Sequence, residues 1–114
     1  MSDCVFCKIA AGEIPGKKLY EDDDILAFHD INPVAPVHVL LIPKKHIASG
    51  AADLTEEHSA VIGHIFAVAA NIARELDIAD GFQIITNNGE KVGQTVAHLH
   101  FHLLGGGDFR LKLG

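Results

Sequence analysis

A chain of 114 residues, 48% apolar and 21% charged, has the composition of one ordinary folded domain spanning residues 1–114, with no compositional sign of disorder. Its net charge of -6 argues against general affinity for long nucleic acids, although a single phosphate needs only a few local donors. No basic stretch leads into a sustained apolar run at MSDCVFCKIA and no apolar run is long enough to cross a bilayer, so the expectation is a cytoplasmic protein with no membrane association.

Cys4 and Cys7 form a C-x-x-C pair that, in a reducing compartment, leaves metal binding, redox chemistry or plain structure open. Residues 4–11 are expected to form a short helix closed by Gly12. Lys18 to Tyr20 reads as a strand, and the acidic run Glu21-Asp22-Asp23-Asp24 as a solvated turn rather than a metal site. Ile25 to Asp30 completes a hairpin, and Pro33 and Pro36 mark a loop. Val37 to Pro43 is almost continuously apolar, as suits a central strand covered on both faces. Over residues 56–77 the apolar positions Ile62, Ile65, Phe66, Ala69, Ile72, Ala73 and Leu76 keep helical spacing, with Thr55 as cap. Phe82 to Asn87 is the next strand, Asn88-Gly89 a turn, and Thr95 to Leu104 the last strand, broken by Gly105-Gly106-Gly107. The order β-β-β-α-β-β with hairpin connections predicts an α+β fold: an antiparallel five-stranded sheet with one long helix on a face and a short N-terminal helix.

The chemistry concentrates at His98-Leu99-His100-Phe101-His102. Period-two spacing on a strand places the three imidazoles in a row on one face. A row of this kind suits nucleophilic and acid–base work, with His100 in the middle as nucleophile and His102 beside it for phosphate contact or proton transfer. Gly93, Gln94 and Thr95 add a close backbone approach, an amide and a hydroxyl as donors. A zinc hydrolase is the competing reading, but the row spans about 13 Å, whereas ligand atoms on one zinc sit only about 3–4 Å apart. Asp30 suits either a turn or a ribose contact, Phe6, Phe28 and Ile31 either a core or an apolar pocket, and His38 either a satisfied buried imidazole or a catalyst. His58 and His64 read as helix-surface residues.

Nearly the whole chain resembles the histidine triad (HIT) nucleotide-binding family, in its purine nucleoside phosphoramidase branch. The likeness lies in Phe6-Cys7-Lys8-Ile9, Gly12-Glu13-Ile14-Pro15, Tyr20-Glu21-Asp22, Ala27-Phe28-His29-Asp30-Ile31-Asn32-Pro33, His38 and Ile42-Pro43-Lys44-Lys45-His46. It continues through Asn87-Asn88-Gly89, Gly93-Gln94-Thr95 and His98 to Gly106. The resemblance implies hydrolysis of nucleoside 5′-phosphoramidates, with His100 transiently nucleotidylated and AMP or GMP released, and no metal in the chemistry. A nucleotide-binding regulatory protein with slow hydrolysis is the alternative. His102, Gly93, Gln94, Thr95 and Asn87 match phosphate-contacting positions, and Asp30 the ribose acceptor. Ile31, Phe6, Val5, Ile9 and Phe28 match the surroundings of the base, and His38 a supporting histidine. A homodimer joined through its sheets and long helices is also implied. In other branches two cysteines and two histidines at the positions of Cys4, Cys7, His46 and His98 bind a structural zinc. Thr95 stands where many relatives carry Ser, and the tail after Gly106 departs from the Trp-containing end of several relatives.

Overall fold

The computed structural model describes residues 4–107, so the divergent tail over residues 108–114 lies outside the described residues. The elements are α1 (Val5–Ala10), β1 (Lys18–Glu21), β2 (Ile25–His29), β3 (Val37–Pro43), α2 (Ser59–Glu75), β4 (Phe82–Ile85) and β5 (Phe101–Gly105). The strands form one five-stranded sheet in the order β1-β2-β3-β5-β4, with every neighbour antiparallel. The fold is α+β, with one long helix and one short helix, as expected.

Alternation along β2 and β3 explains why two helices are needed. Ile25, Ala27, Val39 and Leu41 face α2 and pack against its Ile65, Val68, Ala69, Ile72 and Ala73. Leu26, Phe28, Leu40 and Ile42 face the other way and are covered by Phe6 and Ile9 of α1. Each of the larger side chains among these contributes roughly 1.5–3 kcal/mol on burial. Leu99, Phe101 and Leu103 belong to the α2 side, which turns His98, His100 and His102 towards α1.

Several boundaries differ from the sequence expectation. The long helix begins at Ser59, after a 3₁₀ turn over Glu56–His58. Thr55 caps that turn: its hydroxyl accepts from Glu57 N–H at 3.3 Å, while His58 Nδ1 accepts from Thr55 N–H at 3.0 Å. At the far end the chain leaves α2 through Asp77 with φ of 60°, a left-handed turn. The last strand starts at Phe101, not Thr95, and β4 ends at Ile85, not Asn87. Pro43 is the last residue of β3, whose pairing with β5 runs only as far as Leu41 opposite Phe101. Beyond that point residues 96–100 have no partner strand and are held by other bonds.

The acidic run forms a turn around Asp22, whose Oδ1 accepts from the N–H groups of Asp24 and Ile25 at 2.8 and 2.9 Å. Its Oδ2 accepts from Tyr20 Oη–H at 2.7 Å and lies 2.6 Å from His64 Nε2. Desolvation opposes ionisation of Asp22, but these donors outweigh it and hold the carboxyl well below the usual range. His64 is therefore not a plain surface residue: it clips α2 to the β1–β2 turn.

Gly105 sets a steric limit where β5 passes beneath the end of α2. A Cβ there would lie 2.5 Å from Ile78 Cδ1 and 3.1 Å from Ile78 Cβ, and Ile78 is only 4% exposed. Gly105→Ala is expected to destabilise the protein by about 1–3 kcal/mol, because the whole Ile78 side chain must move inside a filled core. A lower urea midpoint checks this, and an unchanged one contradicts it.

Candidate active site

Residues 96–100 approach the edge of the sheet without joining its ladder, so the placement of His100 rests on individual bonds. Leu99 N–H donates to Ala48 C=O at 2.9 Å, and the Thr86 hydroxyl donates to His100 C=O at 2.7 Å. His100 Nδ1 lies 2.7 Å from its own neighbour's carbonyl, His98 C=O, which can only accept. Nδ1 therefore carries the proton, and Nε2 keeps its lone pair. Thr86 had no signal in the sequence, because its role depends on a bond to a backbone atom 14 residues away.

A second chain of bonds fixes His102. Val34 N–H donates to His38 Nδ1 at 3.1 Å, so His38 holds its proton on Nε2. That Nε2–H donates to His102 Nδ1 at 2.8 Å, with Asp30 Oδ2 at 3.4 Å on its flank. His102 is thereby left with a proton on Nε2. The rings of His100 and His102 have centroids 5.1 Å apart. One presents a lone pair and the other a hydrogen.

Burial lowers the pKa of His102 to about 4, with the neighbouring His100 and His38 rings lowering it further. Burial also lowers His38, partly offset by the Asp30 carboxylate. Both are neutral at pH 7, as the hydrogen-bond chain requires. The stability they confer is fully present above the ordinary value of 6.5 and is lost as pH falls towards 4, because the unfolded chain then takes up protons that the native state refuses. The urea midpoint is expected to drop between pH 7 and pH 5; a flat or rising midpoint contradicts this.

A cleft of about 250 Å³ opens in front of these two rings. Val5, Phe6 and Ile9 of α1, Phe28 and Leu40 of the sheet and Ile31 of the β2–β3 loop form its apolar wall, and Asp30, Thr95, His100 and His102 supply polar groups. His29, Pro15, Gly16 and Val96 also line it and were not singled out from the sequence. His38 sits in the wall of a wider adjoining cleft of about 650 Å³ that shares Asp30 and Ile31. Asn87, Gly93 and Gln94 are not among the lining residues of either cleft. Asn87 is half-buried beyond the end of β4, and Gly93 has φ of 96° at the turn before Gln94. The Gln94 amide braces the loop: Oε1 accepts from Gly89 N–H at 2.7 Å, and Nε2 donates to Ser49 C=O and Val96 C=O at 2.6 and 3.0 Å.

His98 faces a different centre. Its Nε2–H donates to Pro43 C=O at 2.9 Å, which leaves the Nδ1 lone pair facing Cys4 Sγ at 3.2 Å and Cys7 Sγ at 3.4 Å. His46 Nδ1 lies 3.5 Å from Cys7 Sγ, and all four donor atoms fall within 4.8 Å of one another. Two thiols and two imidazole nitrogens at these separations fit a four-coordinate zinc, whose ligand atoms lie about 3–4 Å apart. Asp30, His38 and His102 also converge, but the hydrogen-bond chain already uses both imidazoles.

The sequence pattern of the HIT domain matches residues 11–109. A HIT-like protein of Synechocystis is 52% identical over 107 residues, covering 94% of this chain and 93% of its own length. A 14 kDa zinc-binding protein of Zea mays is 43% identical over 106 residues, covering 92% and 83%. Among solved structures, a HIT family hydrolase from Clostridium thermocellum superposes with a TM-score of 0.94 at 46% identity, covering 99% of this chain and 98% of its own. With likeness of this extent running through both the sequence and the fold, the chain belongs to the HIT domain family.

Proposed function

We propose that the protein is a purine nucleoside phosphoramidase. The observation that carries the reading is the pair of tautomers at the mouth of the cleft: an unprotonated Nε2 on His100 beside a protonated Nε2 on His102. The apolar wall takes the purine and Asp30 the ribose hydroxyls, which brings the 5′-phosphorus to His100. The His100 Nε2 lone pair forms a bond to phosphorus as the P–N bond breaks; the His102 Nε2–H hydrogen-bonds the departing amine, which takes its proton from solvent. Water then adds to the nucleotidyl-histidine; its hydroxyl goes to phosphorus, its proton goes to solvent, the His100 nitrogen is released, and AMP or GMP leaves. Thr95 acts as a donor to the phosphoryl oxygens, and the loop braced by the Gln94 amide holds it in position. No cofactor takes part at phosphorus.

Two further assignments accompany this reading. Cys4, Cys7, His46 and His98 hold a structural zinc, supported by their donor geometry and by likeness to the zinc-binding protein of Zea mays. When bound, zinc there supplies four-coordinate cross-linking and no reaction step. The protein is a cytoplasmic homodimer; β4 is an edge strand with Phe82 at 37% exposure, and α2 leaves Phe66 at 45%. Among the described residues no helix is long and apolar enough to cross a membrane.

Mass spectrometry of protein quenched during turnover of adenosine 5′-phosphoramidate tests the proposal. One nucleotidyl group is expected on the peptide carrying His100. Normal AMP binding with negligible turnover and no adduct would assign a nucleotide-binding regulatory protein instead.

A further inference from the structure

The thiol centre and the cleft are built from the same two pieces of the chain. The first is α1, six residues long and anchored at its N-cap by Cys4, whose Sγ accepts from Cys7 N–H at 3.3 Å. A helix this short is unstable alone, because nucleation costs more than one turn of hydrogen bonds returns. Its Val5, Phe6 and Ile9 nevertheless form one wall of the cleft. The Phe6 ring packs edge-on against both His98 and His100, at 6.0 and 4.9 Å.

The second piece is residue 98. Its imidazole faces the two thiols, while its main-chain carbonyl holds the Nδ1 proton of His100. Because residues 96–100 lie outside the strand ladder, that carbonyl is held by individual bonds, those of the His98 ring and of the Leu99 N–H in the same peptide unit among them.

We infer that metal binding at Cys4, Cys7, His46 and His98 is positively coupled to nucleotide binding in the cleft, each raising the affinity of the other. The physical cause is shared ordering: whichever ligand binds first fixes α1 and the main chain at His98, and the second meets a site already arranged. His98 is a positioning residue for His100. The inference rests on the proposed reading only in requiring that the cleft accept a nucleotide.

Calorimetry with AMP on the reduced full-length protein, stripped by chelator or loaded with one equivalent of zinc, reads the coupling. AMP is expected to bind about tenfold more tightly to the zinc form. Competition against a chromophoric chelator should show zinc affinity rising by the same factor when AMP is saturating, since linkage is reciprocal. This second arm starts from loaded protein and so decides the matter even where stripped protein unfolds. Amide exchange over residues 5–10 should quicken on metal removal and slow again with AMP. His46→Ala alters an exposed ligand outside the cleft and should reduce the gain in AMP affinity that zinc confers. Zinc affinity indifferent to AMP overturns the coupling and leaves the nucleotide reading intact. Failure of AMP to bind either form overturns the nucleotide reading, and the coupling with it.

Discussion

His100→Ala is expected to lower turnover of adenosine 5′-phosphoramidate by about 10⁴-fold or more and to remove the covalent adduct, while AMP still binds within a few-fold of wild type. The two effects separate because His100 forms only part of the cleft, whose apolar wall comes from α1, the sheet and Ile31. His100→Asn sharpens the test: it keeps a polar group of similar reach but has no imidazole nitrogen to attack phosphorus. His102→Ala should cost less, about 10²–10⁴-fold, because it removes the hydrogen-bond donor to the leaving amine but leaves the nucleophile. Equal losses in the two alanine variants, or an adduct surviving His100→Ala, would count against His100 as the attacking group. The hydrogen bond from His100 Nδ1 to the carbonyl of residue 98 persists in His102→Ala, so that variant retains the tautomer the reaction needs.

Cys4→Ser combined with Cys7→Ser is expected to have the largest effect on stability. Metal that binds the native state and not the unfolded chain adds its binding free energy to folding. Loss of two thiolates should cost about 3 kcal/mol or more, which corresponds to a fall in Tm of about 10 °C or more for a chain of this size. Packing cannot compensate fully, because α1 contributes only Phe6 and Ile9 to the core on its side of the sheet. Chelator treatment of the wild type should reproduce the drop, and zinc should restore it in the wild type alone. A double variant that melts with zinc-loaded wild type, or that retains one equivalent of zinc, would remove these residues as the ligand set.

Where periodicity was long and both faces were apolar, the sequence was readable. Val37 to Pro43 is a central strand buried on both sides, and Ile65, Ala69, Ile72 and Ala73 of the expected apolar face pack on the sheet, with Val68 beside them and Phe66 left outside. The boundary near the histidines was not readable: Thr95 to His100 is as apolar and β-prone as a strand, but a strand needs a partner, and pairing with β3 ends at Leu41 opposite Phe101. Thr86 and the Pro43 carbonyl were equally invisible, since each acts through one bond to a group 14 or 55 residues away, and the Val34 N–H because its bond to His38 depends on how the intervening loop turns. The pairing of His64 with Asp22 spans 42 residues and leaves no local trace.

The alternation of His98, His100 and His102 with Leu99 and Phe101 was determined by the sequence, because a period of two is a local property of extended chain. That alternation placed the imidazoles on one side and the apolar residues against α2. Only the tertiary structure decided what each imidazole does. A histidine's tautomer follows from whichever donor or acceptor meets one of its nitrogens, and here those are the Val34 N–H, the Pro43 carbonyl and the carbonyl of residue 98 itself. The thiol facing His98 comes from 94 residues away, and folding alone brought it there.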